Sequence, residues 1–360
     1  MEITIKDVVE TKVDPAELNP DTLGFGIRFT DRIFTMAYDA DKGGWHDPVI
    51  GPLENFSLHP ASVCFHYGQT IFEGMKAFAR DEGRSALFRP ELNLQRMNRS
   101  AQRMSMPVIE VEPVLEAMIE LVRLERQWIP AEVGSSLYIR PTMIGIEEFL
   151  GVRPANRYLF YIILSPVGPY FKGGIGKPVK IMASHKFTRA AAGGTGEAKC
   201  GGNYASSLLA NEEAKEQGYS QVLWLDAKEH RLVEEIGAMN VMFVFNGSTI
   251  VTSPLTGTIL PGITRKTILE MAPELGYEVE ERPISIEEVA MSVRQGKITE
   301  MFGCGTAAVV TPIGTISDRG EEFSVHADEP GPVTRKLYEA ITGVQYGHAE
   351  DRHGWMKIVG

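Results

Sequence analysis

Lys199 stands in the run GGTGEAKCGGNYASSLLANEEAK, residues 193–215, with glycines on both sides and a helical pattern after it. Three chemistries suit a lysine in that setting: a phosphate grip, a solvated surface loop, or an amine that meets an electrophile. A phosphate loop needs G-x-x-x-x-G-K-[ST], so that backbone N–H groups cradle the phosphate and a hydroxyl holds magnesium. Here Cys200 and two glycines follow the lysine, and the other lookalike, GGIGKP, puts Pro178 where the hydroxyl should stand. No G-x-G-x-x-G joins a strand to a helix, so a dinucleotide site has no support. An amine that must react needs small neighbours and surroundings that favour its neutral form. The glycines meet the first need, but a lysine in a glycine-rich loop is ordinarily solvated, and chemistry has to be argued from more than one segment.

Three further segments supply that argument. EEIGAMN places Glu235 just before an expected strand, LPGITRK places the N–H groups of Ile263 and Thr264 at an expected helix N-terminus, and FGCGTAA adds a glycine turn carrying Thr306. Orphan donors and the dipole make a helix N-terminus favourable for phosphate. Each segment alone has a bland reading, respectively a strand-edge charge, a connecting turn and a turn hydroxyl. An amine, a carboxylate and a phosphate cradle in one chain are the set that pyridoxal phosphate requires for its aldehyde, ring nitrogen and phosphate.

The elements that must position these residues follow from periodicity. In the first half, strands such as SLYIRPTMIGI alternate with helical stretches such as ELNLQRMNRSAQRM and VEPVLEAMIELVRLERQ, whose apolar residues recur at three- and four-residue steps. RYLFYIILSPVGPYF is broken by Pro166 and Pro169. It falls short of the roughly 20 residues that a membrane helix needs, and is expected to be a buried strand. PVGPYFKGGIGKPVK has the Pro and Gly density of a connection between domains. The division expected is a domain over 1–167, a connecting loop over 168–181 and a second domain over 182–360. In the second part a helix over SSLLANEEAKEQ is stopped by Gly218 and followed by the strand SQVLWLD. Asn246-Gly247 signals a hairpin between MNVMFVF and STIVTS, and SIEE, Ser285 to Glu288, has the capping-box pattern. The fold class expected is a mixture of α+β and α/β in two domains.

The bulk of the chain narrows the partners. Its 360 residues allow two cores, and its N-terminal residues lack the apolar run of a secretion signal and the arginine-rich pattern of a transit peptide, so a cytoplasmic location is expected. A net charge of -11 argues against nucleic acid and anionic membranes and leaves a small molecule as the expected partner. Cys64, Cys200 and Cys304 form no C-x-x-C and read as reduced thiols, and the histidines form no H-E-x-x-H, so no metal is expected.

EAKCGGNYA, QVLWLD, EEIGAMN, LPGITRK, FGCGTA and, upstream, FHYGQTIFEGMKAF, LFRPELNLQRMNRSAQRM and SLYIRP resemble, in order and spacing, the branched-chain amino-acid aminotransferases. The resemblance covers nearly the whole chain. It implies the two-domain class IV (D-amino-acid-transaminase-like) pyridoxal-phosphate fold, with a smaller N-terminal and a larger C-terminal domain, and a homodimer. The activity implied is reversible amino transfer between leucine, isoleucine or valine and 2-oxoglutarate. Carried over residue by residue, Lys199 is the Schiff-base and proton-shuttling lysine. Glu235, selected over Glu234 by the E-x-G-x-M-N spacing, partners the ring nitrogen. Arg96, Ile263, Thr264 and Thr306 hold the phosphate, and Tyr204 the phenolic oxygen. The substrate pocket implied comprises Phe29, Tyr67, Tyr138, Val152 and Tyr170, with Arg140 for a distal carboxylate and the backbone at Thr306 and Ala307 for the α-carboxylate. Tyr67 and Val152 would reach into the other subunit's pocket. Two departures stand out. Ala308 to Thr311 lacks the thiol pair of vertebrate members, and Ala238 replaces a threonine found in some. D-amino-acid transaminases and aminodeoxychorismate lyases share the cofactor segments; SLYIRP and FEGMKAF favour the branched-chain reading.

Overall fold

The computed structural model describes residues 1–14, 18–169 and 175–360. The chain divides into two compact units, Met1–Tyr170 with Ala198–Gly201 and Val344–Gly360, and Phe171–Glu197 with Gly202–Gly343. With its two added segments the first unit, expected to be the smaller, holds slightly more of the chain than the second.

The first unit is built on one sheet. Its strands are β1 (Thr4–Ile5), β2 (Arg32–Asp39), β3 (Gly44–Pro52), β4 (Thr70–Phe72), β5 (Met75–Ala79), β6 (Ser85–Phe88), β7 (Ser136–Gly145) and β8 (Arg157–Val167). Their order is β1-β3-β2-β8-β7-β5-β6, with β4 also on β7, and every pair but β1–β3 is antiparallel. The helices Pro90–Arg103 and Val111–Leu124 contribute Leu94, Met97, Ala101, Leu115, Met118 and Leu121 to a core shared with Phe34, Phe160 and Ile162 of the strands. Each large apolar side chain buried there stabilises the unit by about 1.5–3 kcal/mol.

One irregularity in this sheet creates room for chemistry. On the same edge of β7, β5 pairs with residues 137–139 and β4 with 142–144, so Arg140 and Pro141 face the break between them. Pro141 lacks the N–H that a continuous ladder would need. The chain crosses there as Glu73-Gly74, with the Glu73 N–H donating to the Pro141 carbonyl at 2.8 Å.

In the second unit the strands are β9 (Val179–Ala183), β10 (Gln221–Leu225), β11 (Val233–Ile236), β12 (Met239–Phe245), β13 (Thr249–Thr252), β14 (Glu278–Glu281), β15 (Ile298–Gly305), β16 (Val309–Asp318) and β17 (Glu321–Ser324). They run β11-β10-β9-β16-β15-β12-β13-β14, with β17 on β16, and a further β11–β12 pairing closes six of them into a ring. Ile181, Leu223, Val241, Phe243, Met301 and Ile313 form its core with Ile286 and Val289 of the helix Ile286–Arg294. The β12–β13 hairpin turns at Asn246 (φ 51°) and Gly247 (φ 71°). These are the two left-handed residues that a tight hairpin requires. Ser285 caps its helix by accepting from the Glu288 N–H at 3.1 Å, which satisfies one of the helix's orphan donors.

Of the connector expected at 168–181, residues 170–174 lie outside the described residues, and 179–181 are already strand β9. The last strand, β18 (Met356–Val359), pairs with β6 and so belongs to the first sheet. No helix among the described residues is long and apolar enough to cross a membrane.

Candidate active site

In the first unit the break in the sheet gathers an ionised cluster. The helix Pro90–Arg103 turns Asn93, Arg96 and Ser100 inward at three- and four-residue steps, a polar stripe on a buried face. Arg96 binds Glu73 through two nitrogens, Nε to Oε1 at 2.7 Å and Nη2 to Oε2 at 2.9 Å, and Asn93 donates to Glu73 Oε2 at 2.8 Å. Burial pushes the Glu73 carboxyl up, but the charge and hydrogen bonds of Arg96, with help from Lys199 and Asn93, hold it below the usual carboxylate range. Ser100 Oγ accepts from the Lys199 N–H at 2.9 Å, and the Lys199 carbonyl accepts from the Phe72 N–H at 3.0 Å, so the lysine's backbone is fixed on both sides.

The Lys199 amine is depressed to about 8, first by desolvation and then by Arg96 and Arg140, against the pull of Glu73 and Tyr138. Its Nζ lies 4.8 Å from the Phe72 ring centroid, and the Arg140 guanidinium lies 4.8 Å from the same centroid, within the range of a cation–π contact. Arg140 also donates to the Tyr138 hydroxyl at 3.2 Å, while its Nε is buried with no hydrogen-bond partner among the described residues. Tyr138 can sit there because residue 74 is glycine: a Cβ at Gly74 would stand 1.9 Å from the Tyr138 hydroxyl. Lys76, directly across from Tyr138 on β5, is buried, and desolvation lowers its amine to about 8.

Tyr67 and Val152 lie elsewhere on this unit and outward, 43% and 86% exposed, with the Tyr67 hydroxyl donating to the Leu150 carbonyl at 2.5 Å. Phe29, just before β2, is also exposed. Tyr170 lies outside the described residues.

The second unit has its own cluster. Glu235 precedes the expected strand, β12, and is itself inside a further short strand, β11, whose double pairing sets it opposite Trp224 on β10 and Asn240 on β12. It is 2% exposed; its Oε1 accepts from the Leu260 N–H at 2.8 Å and from Asn240 Nδ2 at 3.2 Å, and its Oε2 lies 2.6 Å from Arg189 Nε. Leu260 leads through Pro261 and Gly262 into the helix Ile263–Met271, whose N–H groups at Ile263 and Thr264 precede its first internal hydrogen bond, Lys266 N–H to the Gly262 carbonyl. Gly262 is required, since a Cβ there would stand 2.0 Å from Asn240 Oδ1. Thr306 and Ala307 form the turn between β15 and β16. Tyr204 is half-buried in the short helix Gly201–Ala205.

Glu73, Asn93, Phe72 and Lys76 in the first unit, and Arg189, Asn240 and Thr258 in the second, were not among the residues selected from sequence. FEGMKAF and EEIGAMN contain four of them, so the signal was within motifs already noted.

The chain matches the Amino-transferase class IV family over residues 70–316. It is 49% identical over 337 residues to Branched-chain-amino-acid aminotransferase 2 of Bacillus subtilis (strain 168), covering 94% of this chain and 92% of that one. The PLP-form (holo-form) of the branched-chain amino acid aminotransferase of Thermobaculum terrenum is similar in structure, with a TM-score of 0.76, 27% identity and coverage of 92% of this chain and 99% of that one. So is the branched-chain amino acid aminotransferase of Escherichia coli, with a TM-score of 0.71, 30% identity and coverage of 91% of this chain and 98% of that one. Motifs, fold and near-full-length similarity converge: the chain belongs to the branched-chain-amino-acid aminotransferases of class IV.

Proposed function

We propose that the chain transfers the amino group of leucine, isoleucine or valine to 2-oxoglutarate, using pyridoxal phosphate bound through Lys199. The observation that carries this reading is the Lys199 amine, desolvated and held at about 8 by Arg96 and Arg140. The donor set fits the cofactor. An amine poised near neutrality suits an aldehyde, the buried Glu235 suits a protonated ring nitrogen, and the N–H groups at Ile263 and Thr264 suit a phosphate. Arg96 and Thr306 would complete the phosphate set and Tyr204 would face the phenolic oxygen. When bound, pyridoxal phosphate supplies an electrophilic carbon and an electron-withdrawing ring across which an amino group can be exchanged.

The chain's residues then have distinct tasks. Once the incoming amino group has displaced it from the cofactor, Lys199 Nζ, neutral in part near its value of about 8, would take the proton from the substrate's Cα and deliver it to the cofactor carbon it had been bound to. The carboxylate of Glu235 keeps the proton on the ring nitrogen. Arg140, whose guanidinium lies 4.8 Å from the Phe72 ring centroid as the Lys199 amine does, would donate to the distal carboxylate of glutamate or 2-oxoglutarate. By the family resemblance Phe29 and Tyr138 would serve a branched side chain, with Tyr67 and Val152 contributed from the neighbouring subunit, and the backbone at Thr306 and Ala307 would bind the α-carboxylate; Tyr170, assigned to the same task, lies outside the described residues. The exposure of Tyr67 and Val152 supports a homodimer in which these two serve the neighbouring subunit. Borohydride reduction of the purified protein followed by peptide mapping tests the assignment: the expected label is on Lys199, and label on another lysine overturns it.

A further inference from the structure

Glu234 precedes Glu235 on β11, so the two carboxylates leave the strand on opposite faces. Glu234 is 7% exposed, and burial raises its carboxyl, an effect opposed by the Thr258 hydrogen bond and by Arg189 and reinforced by Asp226. Such a group is costly to bury without a use. Its Oε1 accepts from the Thr258 hydroxyl at 2.5 Å, and Oε2 has no hydrogen-bond partner among the described residues.

Thr258 connects the two faces. Its side chain binds Glu234, while its backbone carbonyl accepts from Arg189 Nη2 at 2.5 Å, and the same nitrogen donates to the Gly196 carbonyl at 2.9 Å. Arg189 Nε in turn lies 2.6 Å from Glu235 Oε2. The packing behind this path is tight: a Cβ at Gly196 would stand 2.4 Å from the Thr258 carbonyl oxygen. Two residues further on, the Leu260 N–H binds Glu235 Oε1. The stretch from Thr258 to Leu260, which leads into the helix Ile263–Met271, is therefore held at one end by Glu234 and at the other by Glu235.

We infer that Glu234 is a positioning residue for amino transfer, fixing Thr258, through Thr258 the guanidinium of Arg189, and through Arg189 the carboxylate of Glu235. The inference rests on the reading of Glu235 as the partner of the cofactor's ring nitrogen. Its geometric content is that Glu234 works through the Thr258 hydroxyl, so an acceptor at 234 and a hydroxyl at 258 are both needed and neither is useful alone.

The test compares holoenzymes of Glu234→Val, Thr258→Val, the double variant, the conservative Glu234→Gln and Thr258→Ser, and Glu235→Gln. Three quantities are read: the pH midpoint of the bound cofactor's visible absorbance, the affinity of the cofactor-free chain for pyridoxal phosphate, and kcat/KM for leucine. Glu234→Val and Thr258→Val are each expected to displace the midpoint and lower kcat/KM by about tenfold, with the double variant no worse than either, as residues on one path behave. Glu234→Gln and Thr258→Ser keep the acceptor and the hydroxyl and should restore both readouts. If Glu234→Val does not fold, Thr258→Val, which preserves shape and carbonyl, gives the same readout. Valine variants that lose stability but keep the wild-type midpoint and kcat/KM, while Glu235→Gln alters both, overturn this inference alone. A Glu235→Gln enzyme with unchanged midpoint and turnover overturns the reading of Glu235 beneath it.

Discussion

Replacing Arg140 by methionine separates the two substrates that one pocket has to accept. Methionine keeps most of the apolar stem that packs near Phe72 and Tyr138, and removes only the charge and its donors. Among the described residues the guanidinium donates to the Tyr138 hydroxyl at 3.2 Å and lies against the rings of Phe72 and Tyr138, and its Nε has no hydrogen-bond partner there. A distal carboxylate binding there gains a hydrogen bond to a charged group, a contribution of about 1.5–3 kcal/mol. The side chain of leucine gains none. The variant should therefore lose about ten- to a hundredfold in its preference for glutamate over leucine. Two other consequences fall on both substrates alike and cancel in that ratio: the Tyr138 hydroxyl loses its donor, and the Lys199 amine, which Arg140 helps to depress, rises. Single-turnover half-reactions with each amino acid, followed by the absorbance of the bound cofactor, give the ratio directly. Equal losses for glutamate and leucine in a folded, cofactor-loaded variant would refute the assignment of Arg140 to the distal carboxylate.

Lys76→Met should change how stability depends on pH. The folded chain loses the Lys76 proton at about 8 and the unfolded chain near 10.5, so between these values the unfolded state binds more protons and stability rises with pH. The burial cost is thus present in full below about 8. The advantage of the methionine variant in denaturant unfolding of the cofactor-free chain should shrink by up to about 3 kcal/mol from neutral pH to the unfolded value; a difference independent of pH refutes it. Sedimentation at assay concentration should find a dimer, since Tyr67 and Val152 are proposed to complete the neighbour's pocket, and a fully active monomer contradicts that role.

Local physics made much of this molecule readable in its sequence. The Asn246-Gly247 turn, the Ser285 cap and the helix opening at Ile263 depend on residues within a few positions of one another, and the structure has all three. What escaped depends on pairing across long distances. Nothing near residue 356 reports that β18 will pair with β6, and nothing in EEIGAMN reports that β11 will pair on both sides and close a ring. The same limit hid Glu73. A single glutamate in FEGMKAF reads as a surface charge until the break opposite Pro141 brings it under Asn93 and Arg96 of the helix that follows.

Net charge misleads at the scale of the site. The chain carries -11, yet in the first unit Arg96, Arg140 and Lys199 gather around the buried carboxylate of Glu73. A field set by nearby, poorly solvated charges is strong where the Debye length no longer screens it, and the distant surface carboxylates are screened. Desolvation first, and then that local excess of cations, lowers the amine of Lys199 toward the neutral form, and the same cations favour anions such as a phosphate or a carboxylate. Glu73 sets the limit of the effect, because by pairing with Arg96 it keeps that guanidinium in place and partly offsets its influence on Lys199. The acidic total therefore speaks only to what the outer surface repels, and the chemistry of the lysine is decided by the few residues that the break in the first sheet brings together.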